Sequence, residues 1–203
     1  MQTFKFDYNN NLPKEAQDKF NEIAKAISEL SKDIRVIAVT SSANQEGKTF
    51  VASQIAEALA QQDYRVLLLM ADVRKTMTIE DKVTMGIIDV LSGKVNVENV
   101  IYDTDVEGLN VMFSGATKEN ENLNMDRQVY GVMLNCLKDE FNYIIVDMPT
   151  MGFTDNDEVF LKEADGGIMV IQPNSVAKRK IKNNLKIMEI YNCKVLGAVL
   201  NNR

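Results

Sequence analysis

Residues 35–50 read "RVIAVTSSANQEGKTF". The first six, "RVIAVT", form a short β-branched run with no polar alternation, the pattern of a strand buried on both faces and therefore of a parallel sheet. The next stretch ends in Gly47-Lys48-Thr49, the close of the phosphate-loop pattern GxxxxGK[ST], but it begins with Ser42 where that pattern has glycine. A helix over 48–61 follows. Strand, loop and helix in that order aim successive backbone N–H groups and a helix N-terminus at one point, which suits an anion.

Outward from this unit the chain alternates. Upstream, residues 1–14 are expected as an extended arm, with Pro13 at its boundary. Phe20, Ile23, Ala24, Ile27 and Leu30 then recur at helical spacing, so an amphipathic helix is expected over 15–30. Downstream, apolar runs at 65–72, 109–115, 143–149, 166–173 and 194–202 read as strands, with helices at 86–93, 126–139, 155–163 and 176–191 between them. This is the order of an α/β fold, a mostly parallel sheet flanked by helices and joined by right-handed crossovers. Residues 15–203 are expected to form one domain, and 117–126 an exposed loop.

Composition narrows the function classes. A chain of 203 residues, 45% hydrophobic and 26% charged, has the balance of a globular domain. No apolar run reaches the roughly 20 residues of a membrane span, and the N-terminal stretch lacks the apolar core of a secretory signal, so a cytoplasmic address is expected. A net charge of −6 argues against general nucleic-acid binding. There is no histidine, so acid/base chemistry falls to carboxylates, Lys or Tyr. Cys136 and Cys193 have no CxxC spacing and are expected as reduced, part-buried thiols.

Ligands of open α/β sheets bind beyond the carboxyl ends of the strands, and the candidate chemistry falls there. The loop Ser42, Ala43, Asn44, Gln45, Glu46, Gly47, Lys48 and Thr49 is expected to bind ATP or ADP: Lys48 would bridge the β- and γ-phosphates of ATP and the Thr49 hydroxyl would hold Mg²⁺. The alternative is an ordinary strand-to-helix turn with an exposed lysine. "YIIVDMP" (143–149) ends its apolar run at Asp147, as a Walker B carboxylate does; the alternative there is a helix N-cap. Met112, Met133 and Met169 sit in apolar runs and are expected in the core. The basic stretch "AKRKIKNNLK" (177–186) admits two readings, a solvated helix face or a site for an acidic partner or anionic lipid.

"LLLMADVRK" (67–75) completes a set. Together with "VTSSANQEGKT", "GIIDVLSGKV", "YIIVDMP", "ADGGIMVIQP" and "VLGAVLNN", in this order, the chain from Glu15 resembles the bacterial tyrosine kinases of capsule and exopolysaccharide synthesis. These are relatives of the partition and septum-site ATPases, the deviant Walker group of P-loop NTPases. The resemblance implies Mg-ATP as co-substrate and a tyrosine-rich peptide tail as phosphoryl acceptor. It also implies a membrane adaptor of the polysaccharide co-polymerase type that docks through its cytoplasmic tail, holding the domain at the inner face of the membrane. The partition ATPases carry a lysine early in the loop where this chain has Ala43, which favours the kinase branch. The family's Walker A′ segment reads Asp-x-Asp-x-Arg after its apolar run: Asp72 and Arg74 match the last two, and Met70 stands in place of the first Asp. Lys48, Asp72 and Asp147 are thus the implied catalytic residues, Thr49, Asp72 and Asp147 the implied metal ligands, and Arg74 and Asn201 further nucleotide contacts. A thioether cannot serve a hard cation, so Met70 threatens turnover more than binding, and a nucleotide-binding regulatory module remains the alternative function. The family's ring-forming Glu-x-x-Arg-x-x-Arg reads here Glu15, Asp18, Asn21, which disfavours a ring. The six tyrosines are scattered; a tyrosine-rich continuation beyond Arg203 would support the kinase, and a stop there the regulatory module.

Overall fold

The computed structural model describes residues 3–5, 12–72, 78–79, 82–115, 126–152 and 157–202. The elements in chain order are β1 (Thr3–Phe4), α1 (Lys14–Ser28), β2 (Val36–Ser41), α2 (Lys48–Ala60), β3 (Val66–Met70), β4 (Thr78–Ile79), β5 (Lys82–Val83) and α3 (Ile87–Leu91). A 3₁₀ turn (Val97–Val100), β6 (Tyr102–Thr104), β7 (Leu109–Met112), α4 (Arg127–Glu140), β8 (Tyr143–Asp147), α5 (Asp157–Glu163), β9 (Gly166–Ile171), α6 (Lys178–Ile190) and β10 (Lys194–Leu200) follow.

Eight of these strands form one sheet in the order β1-β6-β7-β3-β8-β2-β9-β10. Every neighbouring pair is parallel except β6 with β7. The apolar runs explain the centre: β2 and β3 are buried at every position, as strands covered on both faces must be. Alternate side chains divide between two cores. Leu67 and Leu69 of β3 join the layer under α3, α4, α5 and α6, built with Ile87, Tyr130, Leu134, Phe160 and Met188. Val66, Leu68 and Met70 join the layer under α1 and α2, with Ala24, Ile27, Val51, Ile55 and Leu59. Met112, Met133 and Met169 are buried as expected.

Polar contacts at the amino-terminal end of the central strand β2 hold this arrangement in register. The Asp165 carboxylate accepts from the Arg35 and Val36 amides at the start of β2. The Arg35 guanidinium donates to the Lys138 and Phe141 carbonyls, satisfying the end of α4 that its own backbone leaves open.

Several expectations are corrected. The run at 109–115 is strand only to Met112, because the Phe113 and Ser114 carbonyls turn to accept from the Ile87 and Ile88 amides at 2.9 and 3.1 Å. Residues Thr3–Phe4 of the expected arm pair with β6, and the Phe4 ring packs edge-on to Phe113 at 5.1 Å. Cys136 is exposed and Cys193 buried, where burial pushes the thiol up to about 12; neither is part-buried. The loop expected at 117–126 lies outside the described residues except for Asp126.

Candidate active site

The loop between β2 and α2 lies where the order of the sheet reverses, between β8 and β9 on either side of β2. Two of its residues carry positive φ, Gln45 at 62° and Gly47 at 85°. Ser42 is not among such residues, so the position that departs from the glycine pattern asks for no left-handed backbone. Its side chain is fully buried; its Oγ accepts from Asn184 Nδ2 of α6 at 3.0 Å and lies 3.8 Å from Met169 Sδ. Gly47 is the residue that must remain small, since a Cβ there would meet Asn201 Nδ2 at 2.1 Å.

Lys48 opens α2 and is only 6% exposed, against the reading of an ordinary turn with a solvated lysine. Thr49 Oγ1 donates to Asp147 Oδ2 at 2.7 Å, bringing the loop hydroxyl and the carboxylate at the end of β8 into direct contact. Asp147 is therefore no helix N-cap: the next helix, α5, begins ten residues on at Asp157. Asp72 follows β3 by two residues and is 4% exposed. Met70 is the register partner of Asp147, and Met70 and Ile145 both lie in the α2-side core, so positions 70 and 147 sit side by side on the face that carries Thr49. Arg74 lies outside the described residues.

Other loop residues are placed differently from simple phosphate contacts. The Glu46 side chain is fully buried and turns inward: Oε2 accepts from the Ser42 and Ala43 amides at 2.9 and 2.7 Å. Oε1 accepts from the Gln172 amide at 3.2 Å and from Ser175 Oγ, in the segment between β9 and α6. Asn201 donates its side-chain amide to the Glu46 carbonyl at 2.9 Å. On the other flank Thr150 Oγ1 donates to Asn44 Oδ1 at 2.9 Å, and Thr40 Oγ1 to the Pro149 carbonyl at 2.9 Å. Asn184, Thr150, Gln172 and Ser175 were not expected as site residues. Only Asn184 leaves a trace in the sequence, as a polar residue one turn from Met188 on the apolar side of a basic helix.

No group of three or more His, Cys, Asp or Glu suited to a metal occurs among the described residues. Mg²⁺ does not need one, because it uses one or two protein oxygens and completes its shell with phosphate and water. The Thr49 hydroxyl and Asp147 carboxylate are hard oxygen donors of that kind at the foot of the loop.

The family model of the AAA domain matches residues 34–195, from just before β2 to the first residues of β10. The chain belongs to the AAA domain family. The chain is 29% identical over 192 residues to tyrosine-protein kinase CpsD of Streptococcus agalactiae serotype III, covering 93% of this chain and 83% of that one. Among solved structures it superposes on the kinase domain of Escherichia coli tyrosine kinase ETK with a TM-score of 0.83 at 23% identity, over 99% of this chain and 81% of that one. The septum site-determining protein MinD from Pyrococcus horikoshii, solved with Mg-ADP, gives a TM-score of 0.69 at 23% identity, over 82% and 70% of the two chains. The fold is therefore the mostly parallel α/β sheet shared by the bacterial tyrosine-kinase domains and the MinD-type P-loop ATPases.

Proposed function

We propose that this domain binds Mg-ATP and transfers its γ-phosphoryl group to a tyrosine hydroxyl within a capsule or exopolysaccharide system, with turnover held down by Met70. The observation that carries the reading is the 2.7 Å contact between Thr49 and Asp147 beside the buried Lys48. The loop N–H groups from Glu46 to Thr49 and the Lys48 ammonium would hold the phosphates, and Ser42 to Gln45 would shape the loop around them. Thr49, Asp72 and Asp147 would hold the metal, which spreads the negative charge of the transferring group. Asp72 and Asp147 are left as the carboxylates able to take the tyrosyl proton, there being no histidine. A tyrosine-rich peptide is the proposed acceptor, and a membrane adaptor, acting through its cytoplasmic tail, the proposed partner that holds the domain at the inner face of the membrane.

Met70 favours a second reading, a nucleotide-bound regulatory module. An aspartate at position 70 would put a second carboxylate beside Asp147, a pair that repel each other unless a cation lies between them. Mg²⁺ would be that cation; a carboxylate placed where charge develops during transfer would act on the barrier more than on ground-state affinity. Met70→Asp is expected to raise ATP turnover, or phosphorylation of a supplied tyrosine-rich peptide, by at least about tenfold, or about 1.4 kcal/mol of barrier. Lys48→Ala should remove most nucleotide affinity in calorimetry. Unchanged turnover in a folded, ATP-binding Met70→Asp protein, with Asp72→Asn abolishing it, would show that Met70 limits nothing. Equal affinity of Lys48→Ala and the parent would overturn the nucleotide site itself.

A further inference from the structure

Helix α6 opens with Lys178, Arg179 and Lys180 and adds Lys182 and Lys186. All five are exposed, and between Gly166 and Met188 there is no acidic residue. Lys178, Arg179, Lys180 and Lys182 form no ion pair with any described residue. Three of them occupy the first turn, where the helix dipole is positive and cations are disfavoured, and Ala177 at the N-cap offers no side-chain acceptor. Fold stability alone would select the opposite charge here. In a chain of net charge −6 this end of α6 is a concentrated positive face.

We propose that the exposed start of α6 is a contact surface for an anionic lipid bilayer. The side chains exposed from 178 to 186 are Lys, Arg and Asn only. A peptide would find no anchor site for an aromatic or aliphatic residue, the usual source of tight and specific binding. A charged plane needs none, because each Lys or Arg near an anionic membrane is drawn to it through water. The surface is joined to the nucleotide loop, since Gln172 and Ser175, just before α6, are held by the Glu46 carboxylate. The inference does not depend on phosphoryl transfer.

The test is co-sedimentation of the whole chain with phosphatidylcholine vesicles, with and without phosphatidylglycerol. Binding is expected only with phosphatidylglycerol, and it should weaken as salt rises. The triple variant Lys178→Glu/Arg179→Glu/Lys180→Glu is expected to bind at least about tenfold more weakly. Its Tm should be equal to or higher than the parent's, because acidic residues in the first turn complement the dipole, so lost binding cannot be ascribed to lost folding. Equal sedimentation of parent and variant, equal binding to both vesicle types, or no binding to either would overturn the proposal. So would tighter retention of a polyglutamate peptide or duplex DNA than of the anionic vesicles, which would make the face a protein or nucleic-acid site.

Discussion

Glu46 and Glu57 are both buried glutamates, and their surroundings set them opposite tasks. Glu46 meets four donors, two of them more than 120 residues away in sequence, and so locks the phosphate loop to the segment after β9. Nothing local in "SSANQEGKT" reveals this, because a loop glutamate reads as solvated until its distant donors are known. Ser42 is the converse case: that serine could stand there follows from the sequence, while its partner Asn184 does not. Glu57, on α2, has Gln54 Nε2 at 3.4 Å and Gln61 Nε2 at 3.2 Å as weak donors. Burial raises its pKa, Asp105 adds to the rise, and the Gln54 bond partly opposes it. The folded state therefore holds the proton more tightly than the unfolded chain, and stability falls as pH rises from the ordinary carboxylate value through the folded one. Glu57→Gln should raise Tm at pH 7, and the gain should vanish once the pH falls below the ordinary carboxylate range. A gain that persists unchanged there would mean that packing, not charge, is the cause.

At the scale of elements, what could be read depended on length and burial. The central strands announced themselves as unbroken apolar runs, α1 as a periodic face, and α4 and α6 as the stretches that separate strands. Strands β1 and β6 did not, since two and three residues make no pattern and their pairing depends on an edge that only the assembled sheet supplies. Helix ends were legible to within about two residues. The start of α4 shows why: Asp126 caps it, accepting from the Gln128 and Val129 amides at 2.8 and 3.3 Å, and an Asp ahead of an amphipathic run is a readable signal. Asp126→Ala is expected to cost about 1 kcal/mol in urea unfolding, with an unchanged m-value. A cost near zero would show that the preceding segment caps α4 in another way.

For the whole molecule, the exposed side of α1 bears on assembly. Asp18 and Asn21 stand exposed where the resembling kinases carry arginines that bridge subunits, and Glu15 is paired within its own helix to Lys19 at 3.0 Å. The chain is expected as a monomer or dimer in light scattering at micromolar concentration, and a closed octamer would show that a ring forms through other contacts. The position of β2 reaches further, into the order in which the molecule is made. Residues 36–41 leave the ribosome about a hundred residues ahead of their two hydrogen-bonding neighbours, 143–147 and 166–171. At roughly 5–20 residues per second the nascent β2 waits for several seconds with both edges open. During that interval the phosphate loop has neither Asp147 nor the Gln172 and Ser175 donors to Glu46 to shape it. ATP in the surrounding solution thus cannot guide early folding and can only trap the finished domain, so nucleotide should slow unfolding while leaving the refolding rate almost untouched.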